Sequence, residues 1–216
     1  MTPVKICGIT RADDAMLAAD LGASWVGFVF WPRSPRFVTP DTAATILAGL
    51  PPHVSGVGVF VNQPVADVAE TAARVGLGAV QLHGDEGEAE YGAIGHRVIK
   101  ALRLGPDATP AAADGLWPGA TLLLDAFDAV RMGGTGRQVD WTVASAIARG
   151  RRTMLSGGLR ADNVAEAVAR VTPYAVDVSS GVEREPGIKD HVLLRSFFTA
   201  VRSVVSPLDS TSGAQP

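Results

Sequence analysis

The chain has 216 residues, of which 47% are hydrophobic and 24 are glycine, so it can bury one sizeable core and is too apolar to be disordered. Its 19 basic and 22 acidic residues leave a net charge of −3 and form no basic block, which argues against a nucleic-acid or anionic-membrane partner. One cysteine excludes an intramolecular disulfide, and four scattered histidines add no Cys/His cluster of the zinc type.

The first residues of the chain are not expected to form a secretory signal peptide. They run directly into a strand-like segment, without the basic stretch and apolar run of a secretory signal. Apolar runs also fall well short of the roughly 20 residues that a transmembrane helix needs. We therefore expect a cytoplasmic protein.

Short apolar, β-branched segments alternate with segments of helical periodicity, which is typical of a parallel sheet wrapped by helices. The clearest helix follows the third strand, where Val65, Val68 and Ala72 share one face. Similar faces follow the seventh and eighth strands, whereas the fourth and fifth helices are weakly patterned. Eight strands are predicted, at Val4–Cys7, Trp25–Phe30, Gly56–Val61, Ala79–Leu82, Arg97–Ala101, Thr121–Asp125, Thr153–Leu155 and Ala175–Val178.

Side chains with hydrogen-bonding oxygens are expected to cap the first two helices. Thr10, with Asp13 three residues later, has the spacing of a capping box, and Thr39 or Asp41 stands where the second helix should begin.

Eight βα units in about 200 residues fit a closed, eight-stranded parallel (β/α)8 TIM barrel, here a single domain over residues 1–205. An open doubly wound sheet is the alternative. Against it, the first strand leads into Cys7-Gly-Ile-Thr10 rather than the glycine-rich fingerprint of dinucleotide-binding folds. Residues 206–216 are rich in turn-forming types and are predicted to be a disordered C-terminal tail.

Polar residues interrupt these apolar strands with one parity, near the carboxyl ends. Because side chains alternate along a strand, the polar set shares one face, which in a barrel points to the axis. The carboxyl ends of the strands form the rim that carries the active sites of this fold. The residues predicted to line this mouth are Lys5, Cys7, His83, Asp125 and Asp177.

Each of these residues also has a purely structural interpretation. Cys7 could be a small buried hydrophobe, but the ammonium of Lys5 on the same face favours a thiolate that acts as base or nucleophile. Asp125 could cap a loop, with Asp128 as a competing carboxylate, and His83 could be a hydrogen-bonded core histidine.

Three glycine-rich loops follow late strands. Ser156-Gly-Gly-Leu159 and Ser179-Ser-Gly181 follow the seventh and eighth strands, the usual phosphate site of these barrels, although either alone could be an ordinary turn. Gly133-Gly-Thr-Gly136 follows the sixth strand and is interpreted as a mobile lid rather than a surface linker.

Taken together, these residues resemble the phosphoribosylanthranilate isomerase family, over residues 5 to 190. The first and last matching motifs are the most specific. The matching segments include Lys5-Ile-Cys-Gly-Ile-Thr10, Gly27-Phe-Val-Phe30, Ser34-Pro-Arg36, Val57-Gly-Val-Phe-Val-Asn62, Val80-Gln-Leu-His-Gly-Asp-Glu86, Leu124-Asp125, Gly133-Gly-Thr-Gly136, Gly157-Gly-Leu159 and Val176-Asp-Val-Ser-Ser-Gly-Val-Glu183.

The resemblance implies an Amadori rearrangement in tryptophan biosynthesis, in which N-(5-phosphoribosyl)anthranilate becomes 1-(2-carboxyphenylamino)-1-deoxyribulose 5-phosphate. It implies that Asp125 is the general acid that opens the ribose ring and that Cys7 is the general base that removes the C2′ proton. No metal or organic cofactor is expected, because the protonated Schiff base is itself the electron sink. The expected partner is a small phosphorylated substrate, bound by a monomer or alternatively a homodimer.

The resemblance also implies binding roles. Arg36 would bind the anthranilate carboxylate, although a surface arginine at a helix entry is the alternative. Further substrate-binding residues would be Lys5, His83 and Asp177. The phosphate would be held by Gly157, Gly158, Ser180 and Gly181, and the lid would consist of Gly133, Gly134, Thr135 and Gly136.

Two other functions stay open at this point. A metal-dependent sugar-phosphate epimerase would need several His and Asp ligands at strand ends. His83 is the single histidine predicted at a strand end, which is too few for such a metal site. A catalytically silent barrel that binds a phosphorylated metabolite would have no reason to place a thiol and a carboxyl at one mouth.

Overall fold

The computed structural model describes residues 1–126 and 140–204, and in it the eight predicted strands close into one parallel barrel. Lys5 pairs in register with Trp25 of the second strand and with Asp177 of the eighth, which joins the two ends of the sheet. The open-sheet alternative is therefore wrong. The strands are β1 (Val4–Cys7), β2 (Trp25–Val29), β3 (Ser55–Phe60), β4 (Ala79–Leu82), β5 (Arg97–Leu104), β6 (Thr121–Ala126), β7 (Thr153–Leu155) and β8 (Ala175–Val178).

The helices cover the outside of the barrel. They are α1 (Ala12–Asp20), α2 (Pro40–Ala48), α3 (Val65–Val75), α4 (Glu88–Tyr91), α5 (Trp141–Gly150), α6 (Val164–Val171) and α7 (His191–Arg202). The three helices with clear apolar faces, α3, α6 and α7, are confirmed. The two weakly patterned helices were predicted after the fourth and fifth strands. The connection after β4 contains only the four-residue helix α4, and the connection after β5 contains only one 3₁₀ turn, Pro110–Ala113. Of the helices described, none is both long and apolar enough to cross a membrane.

The predicted caps are confirmed in one case and wrong in the other. Thr39 is the N-cap of α2 and accepts a hydrogen bond from the backbone N–H of Thr42 at 3.2 Å. At α1 the N-cap is Arg11, without a side-chain cap, because the hydroxyl of Thr10 donates instead to the carbonyl of Gly187, far along the chain.

Apolar clusters lie on both sides of the barrel wall, one outside the strands and two inside. The largest fills the space between the strands and the helices, as expected for strands that are buried on both faces. The second fills the barrel interior with the residues Val57, Ala79, Ile99, Ala101, Leu123, Met154 and Ala175. Toward the carboxyl ends of the strands lies a third, small cluster of Cys7, Val29 and Val59, beside inward-facing polar side chains that include His83, Asp125 and Asp177.

A small hairpin follows β8. A 3₁₀ turn at Ser180–Val182 leads into β9 (Glu183–Glu185) and β10 (Ile188–Lys189), which pair antiparallel. The turn between them contains Gly187 at φ +85°, a left-handed conformation that favours glycine. The predicted C-terminal tail, residues 206–216, lies outside the described residues.

Candidate active site

A cavity of about 770 Å³ opens at the carboxyl ends of the barrel strands, where the sequence predicts the mouth. Four of the five residues predicted to line this mouth do so. The predicted carboxylate-binding arginine and both glycine loops after β7 and β8 also contribute to its wall. The wall includes Cys7, Arg36, His83, Asp125, Gly157, Gly158, Asp177, Ser180 and Gly181.

The prediction that Lys5 also lines the mouth is wrong. Its side chain is completely buried, and its ammonium lies 2.8 Å from one carboxylate oxygen of Asp177. A strand rises about 3.3 Å per residue, so the Cα of Lys5 lies roughly 7 Å from that of Cys7 along β1, farther from the mouth. The other oxygen of Asp177 accepts a hydrogen bond from the Ser156 hydroxyl at 3.2 Å. Lys5 therefore supports the floor of the cavity.

The pKa of Cys7 is raised rather than lowered, contrary to the sequence-based expectation. Burial raises the pKa of the Cys7 thiol above its ordinary value, and the attraction of Lys5 offsets only part of this effect. Burial also opposes the charge on Lys5, but Asp177 and Cys7 beside it raise the pKa of Lys5, so this lysine stays protonated. Cys7 thus lies over a permanent positive charge.

Gly27 provides the space for this arrangement. A Cβ atom at this position would lie 3.0 Å from Sγ of Cys7 and 3.1 Å from Nζ of Lys5, closer than ordinary van der Waals contact. Glycine on β2 thereby lets the thiol and the ammonium lie side by side against the strand.

Asp125 lies at the carboxyl end of β6 and is almost fully buried. Its Oδ1 accepts a hydrogen bond from the backbone N–H of Ala126 at 2.9 Å. Its Oδ2 lies 3.2 Å from Nε2 of His83, but the two groups are not aligned for a hydrogen bond. The amide nitrogen of Gln81, as assigned, donates to Nδ1 of His83 at 2.9 Å, which leaves the ring proton of neutral His83 on Nε2, toward Asp125.

The glycine loops are packed against this acid and against each other. Gly157 has φ +81°, and a Cβ there would lie 3.1 Å from Oδ1 of Asp125. A Cβ at Gly181 would lie 1.9 Å from the carbonyl oxygen of Leu159, so the loops after β7 and β8 are in direct backbone contact. Larger residues would separate the two loops.

Glu183 and Lys189, for which the sequence predicts no role, form ion pairs beside Arg36. Arg36 makes a bidentate ion pair with Glu183, and Glu183 also pairs with Lys189, whose side chain is completely buried. Glu183 and Lys189 lie in or beside matching motifs, but their contact with Arg36 spans 147 residues of sequence and has no local signal. Burial opposes the charge on Glu183, yet Arg36 and Lys189 together lower its pKa.

The predicted lid, Gly133, Gly134, Thr135 and Gly136, lies outside the described residues, as does Asp128. Within the described part of the chain, no three His, Cys, Asp or Glu side chains form a group that could hold a metal ion.

Comparison with known proteins agrees with this geometry. A family model described as N-(5′-phosphoribosyl)anthranilate (PRA) isomerase matches residues 4–200. The N-(5′-phosphoribosyl)anthranilate isomerase of Pelobacter propionicus is 47% identical over 206 residues, which cover 95% of this chain and 98% of that protein.

Solved structures show the same fold. The crystal structure of phosphoribosyl anthranilate isomerase from Thermus thermophilus superposes with a TM-score of 0.85 at 42% identity, covering 94% of this chain and 100% of that one. A phosphoribosyl anthranilate isomerase in complex with reduced 1-(o-carboxyphenylamino)-1-deoxyribulose 5-phosphate has a TM-score of 0.81 at 40% identity, covering 94% and 99%. The chain therefore belongs to the phosphoribosylanthranilate isomerase family.

Proposed function

We propose that this chain catalyses the Amadori rearrangement of N-(5-phosphoribosyl)anthranilate to 1-(2-carboxyphenylamino)-1-deoxyribulose 5-phosphate, in L-tryptophan biosynthesis. One observation carries the proposal. A thiol, Cys7, and a carboxyl group, Asp125, line one cavity from different strands of a barrel that belongs to this family. A related isomerase binds the reduced form of the same product, which supports a ligand of this chemistry for the cavity.

In the first step Asp125 acts as general acid. Its Oδ1 accepts a hydrogen bond from the backbone N–H of Ala126, which leaves Oδ2 to carry a proton. Transfer of this proton to the ribose ring oxygen lets the C1′–O bond break, with its electron pair moving to oxygen. The nitrogen lone pair forms the C=N bond of a protonated Schiff base, and Asp125 is left as a carboxylate.

In the second step Cys7 acts as general base. Its thiolate removes the proton from C2′, and the electron pair of the C–H bond moves into the Schiff base to give an enolamine, which tautomerises to the ketone. The positive Schiff base and Lys5 both favour the thiolate, which counteracts the effect of burial on the pKa of Cys7. The proposed steps need no metal or organic cofactor, because the iminium accepts the electrons.

The remaining site residues are proposed to bind the substrate. Arg36 faces the cavity and would bind the anthranilate carboxylate, for which a planar guanidinium is suited. Asp177 would contact a sugar hydroxyl or the migrating proton. His83, which lies 3.2 Å from Asp125, would orient this acid rather than hold the ligand. The phosphate would lie against Gly157, Gly158, Ser180 and Gly181, and Gly133, Gly134, Thr135 and Gly136 would close over the bound substrate.

The experiment that tests the proposal follows the fluorescence of N-(5-phosphoribosyl)anthranilate as the enzyme consumes it. We expect turnover by the wild type, and kcat values roughly 10²- to 10⁴-fold lower in Cys7→Ala and Asp125→Asn, the range typical of general acid and base groups. Both variants should bind the reduced product with nearly wild-type affinity, because neither residue is proposed to hold the ligand.

Asp67→Asn, an exposed change of the same chemistry on α3, is the matched control and should keep wild-type turnover. Absence of turnover in the wild type would contradict the function. Near-normal kcat in Cys7→Ala or Asp125→Asn would contradict only the assigned roles.

Three broader predictions accompany this function. We propose a single catalytic domain over residues 1–205, a cytoplasmic location, and a monomer with a homodimer as the alternative. Sedimentation of the purified chain distinguishes the two oligomeric states.

A further inference from the structure

The carboxylate of Glu183 lies between two cations at the edge of the cavity. Its two oxygens accept hydrogen bonds from Nε and Nη2 of Arg36 at 2.6 to 3.1 Å. Its Oε1 also accepts from Nζ of Lys189 at 2.8 Å and from the backbone N–H of Gly187 at 3.3 Å. The side chain of Glu183 is only 4% exposed, so these contacts replace its hydration.

These contacts use one particular edge of the Arg36 guanidinium. A guanidinium can grip a carboxylate by its side edge, through Nε and one Nη, or by its end edge, through both Nη atoms. Glu183 takes the side edge. Among residues 1–126 and 140–204, no second acceptor contacts this guanidinium, and Arg36 lines the cavity. The end edge is thereby left for a ligand.

The stem of Arg36 is also held in place. It crosses Gly8, where a Cβ atom would lie 2.5 Å from Cδ of Arg36. Gly8 has φ +74°, so both its conformation and the passage of the arginine require glycine. The guanidinium is thus fixed at its base by the chain after β1 and at its side edge by Glu183.

Glu183 is in turn fixed to the barrel. Lys189 donates to the carbonyl oxygen of Cys7 at 2.6 Å and to that of Ser179 at 3.3 Å, in addition to Glu183. These carbonyls lie at the ends of β1 and β8, the rigid part of the mouth. The orientation of Arg36 is therefore set relative to Cys7 through two successive ion pairs.

We propose that Glu183 is a positioning residue that holds the end edge of Arg36 toward the substrate carboxylate, and so sets the preference of the site for ligands that carry this carboxylate. The inference rests on the proposed function. It predicts that Glu183 affects recognition of the carboxylate more than recognition of the sugar phosphate.

The test compares the dissociation constants of two ligands, reduced 1-(o-carboxyphenylamino)-1-deoxyribulose 5-phosphate and the same compound without its carboxyl group. The wild type should prefer the carboxylated ligand by roughly 10- to 100-fold, the range that corresponds to charged hydrogen bonds. In Glu183→Ala the preference should fall at least about fivefold, while the ligand without the carboxyl group binds nearly as before.

Glu183→Gln should give an intermediate preference, because its amide oxygen can accept one hydrogen bond from Arg36. If Glu183→Ala does not fold, the ligand preference of Glu183→Gln tests the inference instead. Arg36→Met should abolish the preference, and adding Glu183→Gln to it should change the preference no further. Glu166→Gln, which breaks an exposed Arg–Glu pair on α6, is the matched control.

If the affinity for both ligands falls equally in the Glu183 variants, Glu183 has a merely structural role and the inference is overturned. An unchanged or increased preference for the carboxylated ligand would overturn it as well. These outcomes are distinct from a failure of the proposed function, which would appear as a wild type that does not turn over N-(5-phosphoribosyl)anthranilate.

Discussion

On the wall of the cavity formed by β1 and β8, Cys7 lies above the ion pair between Lys5 and Asp177, whereas on the wall formed by β4 and β6, Asp125 contacts a backbone amide and an imidazole. The Cys7 wall also contains the pair between Glu183 and Lys189. In the described part of the chain, no lysine or arginine forms an ion pair with Asp125. Of the three buried carboxylates that line this cavity, Asp125, Asp177 and Glu183, the last two have cationic partners of this kind.

The difference follows from what each group is proposed to do. A lysine or arginine beside a carboxyl group favours its ionised form, which suits Asp177 and Glu183 as fixed anions. A general acid must be able to carry a proton, and a cationic partner would oppose this. A general base gains from a nearby cation, and Lys5 supplies one beneath Cys7. The two walls therefore have electrostatics suited to opposite proton transfers.

Among variants that keep both Cys7 and Asp125, the largest expected effect comes from removing the cation beneath the base. Lys5→Met should lower kcat/KM about 100-fold, because the main attraction that offsets the effect of burial on the pKa of Cys7 is then lost and only the weaker attraction of Lys189 remains. The base must be deprotonated, so activity rises with pH through the pKa of Cys7. The variant should show this rise at higher pH than the wild type, in a pH profile of kcat/KM.

Lys100→Met is the matched control, since Lys100 is another buried lysine, paired with Glu86 at 2.7 Å outside the cavity. It should lower stability without moving the pH profile. If Lys5→Met does not fold, the double variant with Asp177→Asn removes the unpaired carboxylate. Because Asp177 raises the pKa of Cys7, the profile of this double variant is compared with that of Asp177→Asn alone, which keeps Lys5. An unshifted profile would contradict the role of Lys5.

The next effect concerns the glycine under Arg36. Gly8→Ala should lower the free energy of unfolding by about 1–3 kcal/mol, because alanine is strained at φ +74°. It should also displace Arg36 and weaken binding of the carboxylated ligand about tenfold. Denaturant unfolding and ligand titration measure the two effects.

Gly76→Ala separates strain from crowding. Gly76 has φ +75° at the end of α3, but a Cβ there would have no neighbour within 4 Å. This variant should lose stability and keep its affinity. If Gly8→Ala also binds normally, the displacement of Arg36 is refuted.

A smaller effect is expected on the acid wall. His83→Asn should lower kcat about tenfold, since Asp125 loses the imidazole that lies 3.2 Å from its Oδ2. KM should change less, because His83 is proposed to act through Asp125. His53→Asn, an exposed histidine, serves as the comparison, and equal kcat values in the two variants would remove His83 from the mechanism.

The smallest effect belongs to an ion pair far from either wall. Arg74 and Asp41 lie 2.6 Å apart on the surface, with 53% and 74% of their side chains exposed. Arg74→Ala should change the free energy of unfolding by less than about 1 kcal/mol, because exposed pairs are screened by water. A larger loss would mean that burial is not what distinguishes the pairs at the mouth.

Strands were predictable because a barrel strand is covered on both faces and becomes a short apolar run. β1, β4, β7 and β8 have the predicted bounds to the residue. The structures of the connections after β4 and β5 were not predictable. Glycine and proline weaken the helical pattern there, so tertiary contacts alone decide whether a helical turn forms. Likewise, Thr10 stands where the sequence predicts a helix cap, but its hydroxyl donates a hydrogen bond to the carbonyl of Gly187 instead.

The sequence by itself determined which side chains point toward the barrel axis, because alternation along a strand is a local property of the backbone. It therefore predicted Cys7 and Asp125 at one mouth. Only the tertiary structure decided how deeply each of these side chains is buried and with which group it forms an ion pair. Lys5 meets Asp177 across 172 residues, and Arg36 meets Glu183 across 147, contacts that exist only once the barrel has closed. Closure excludes water from these groups, and it is this burial that makes each lysine, arginine and carboxylate depend on its partner.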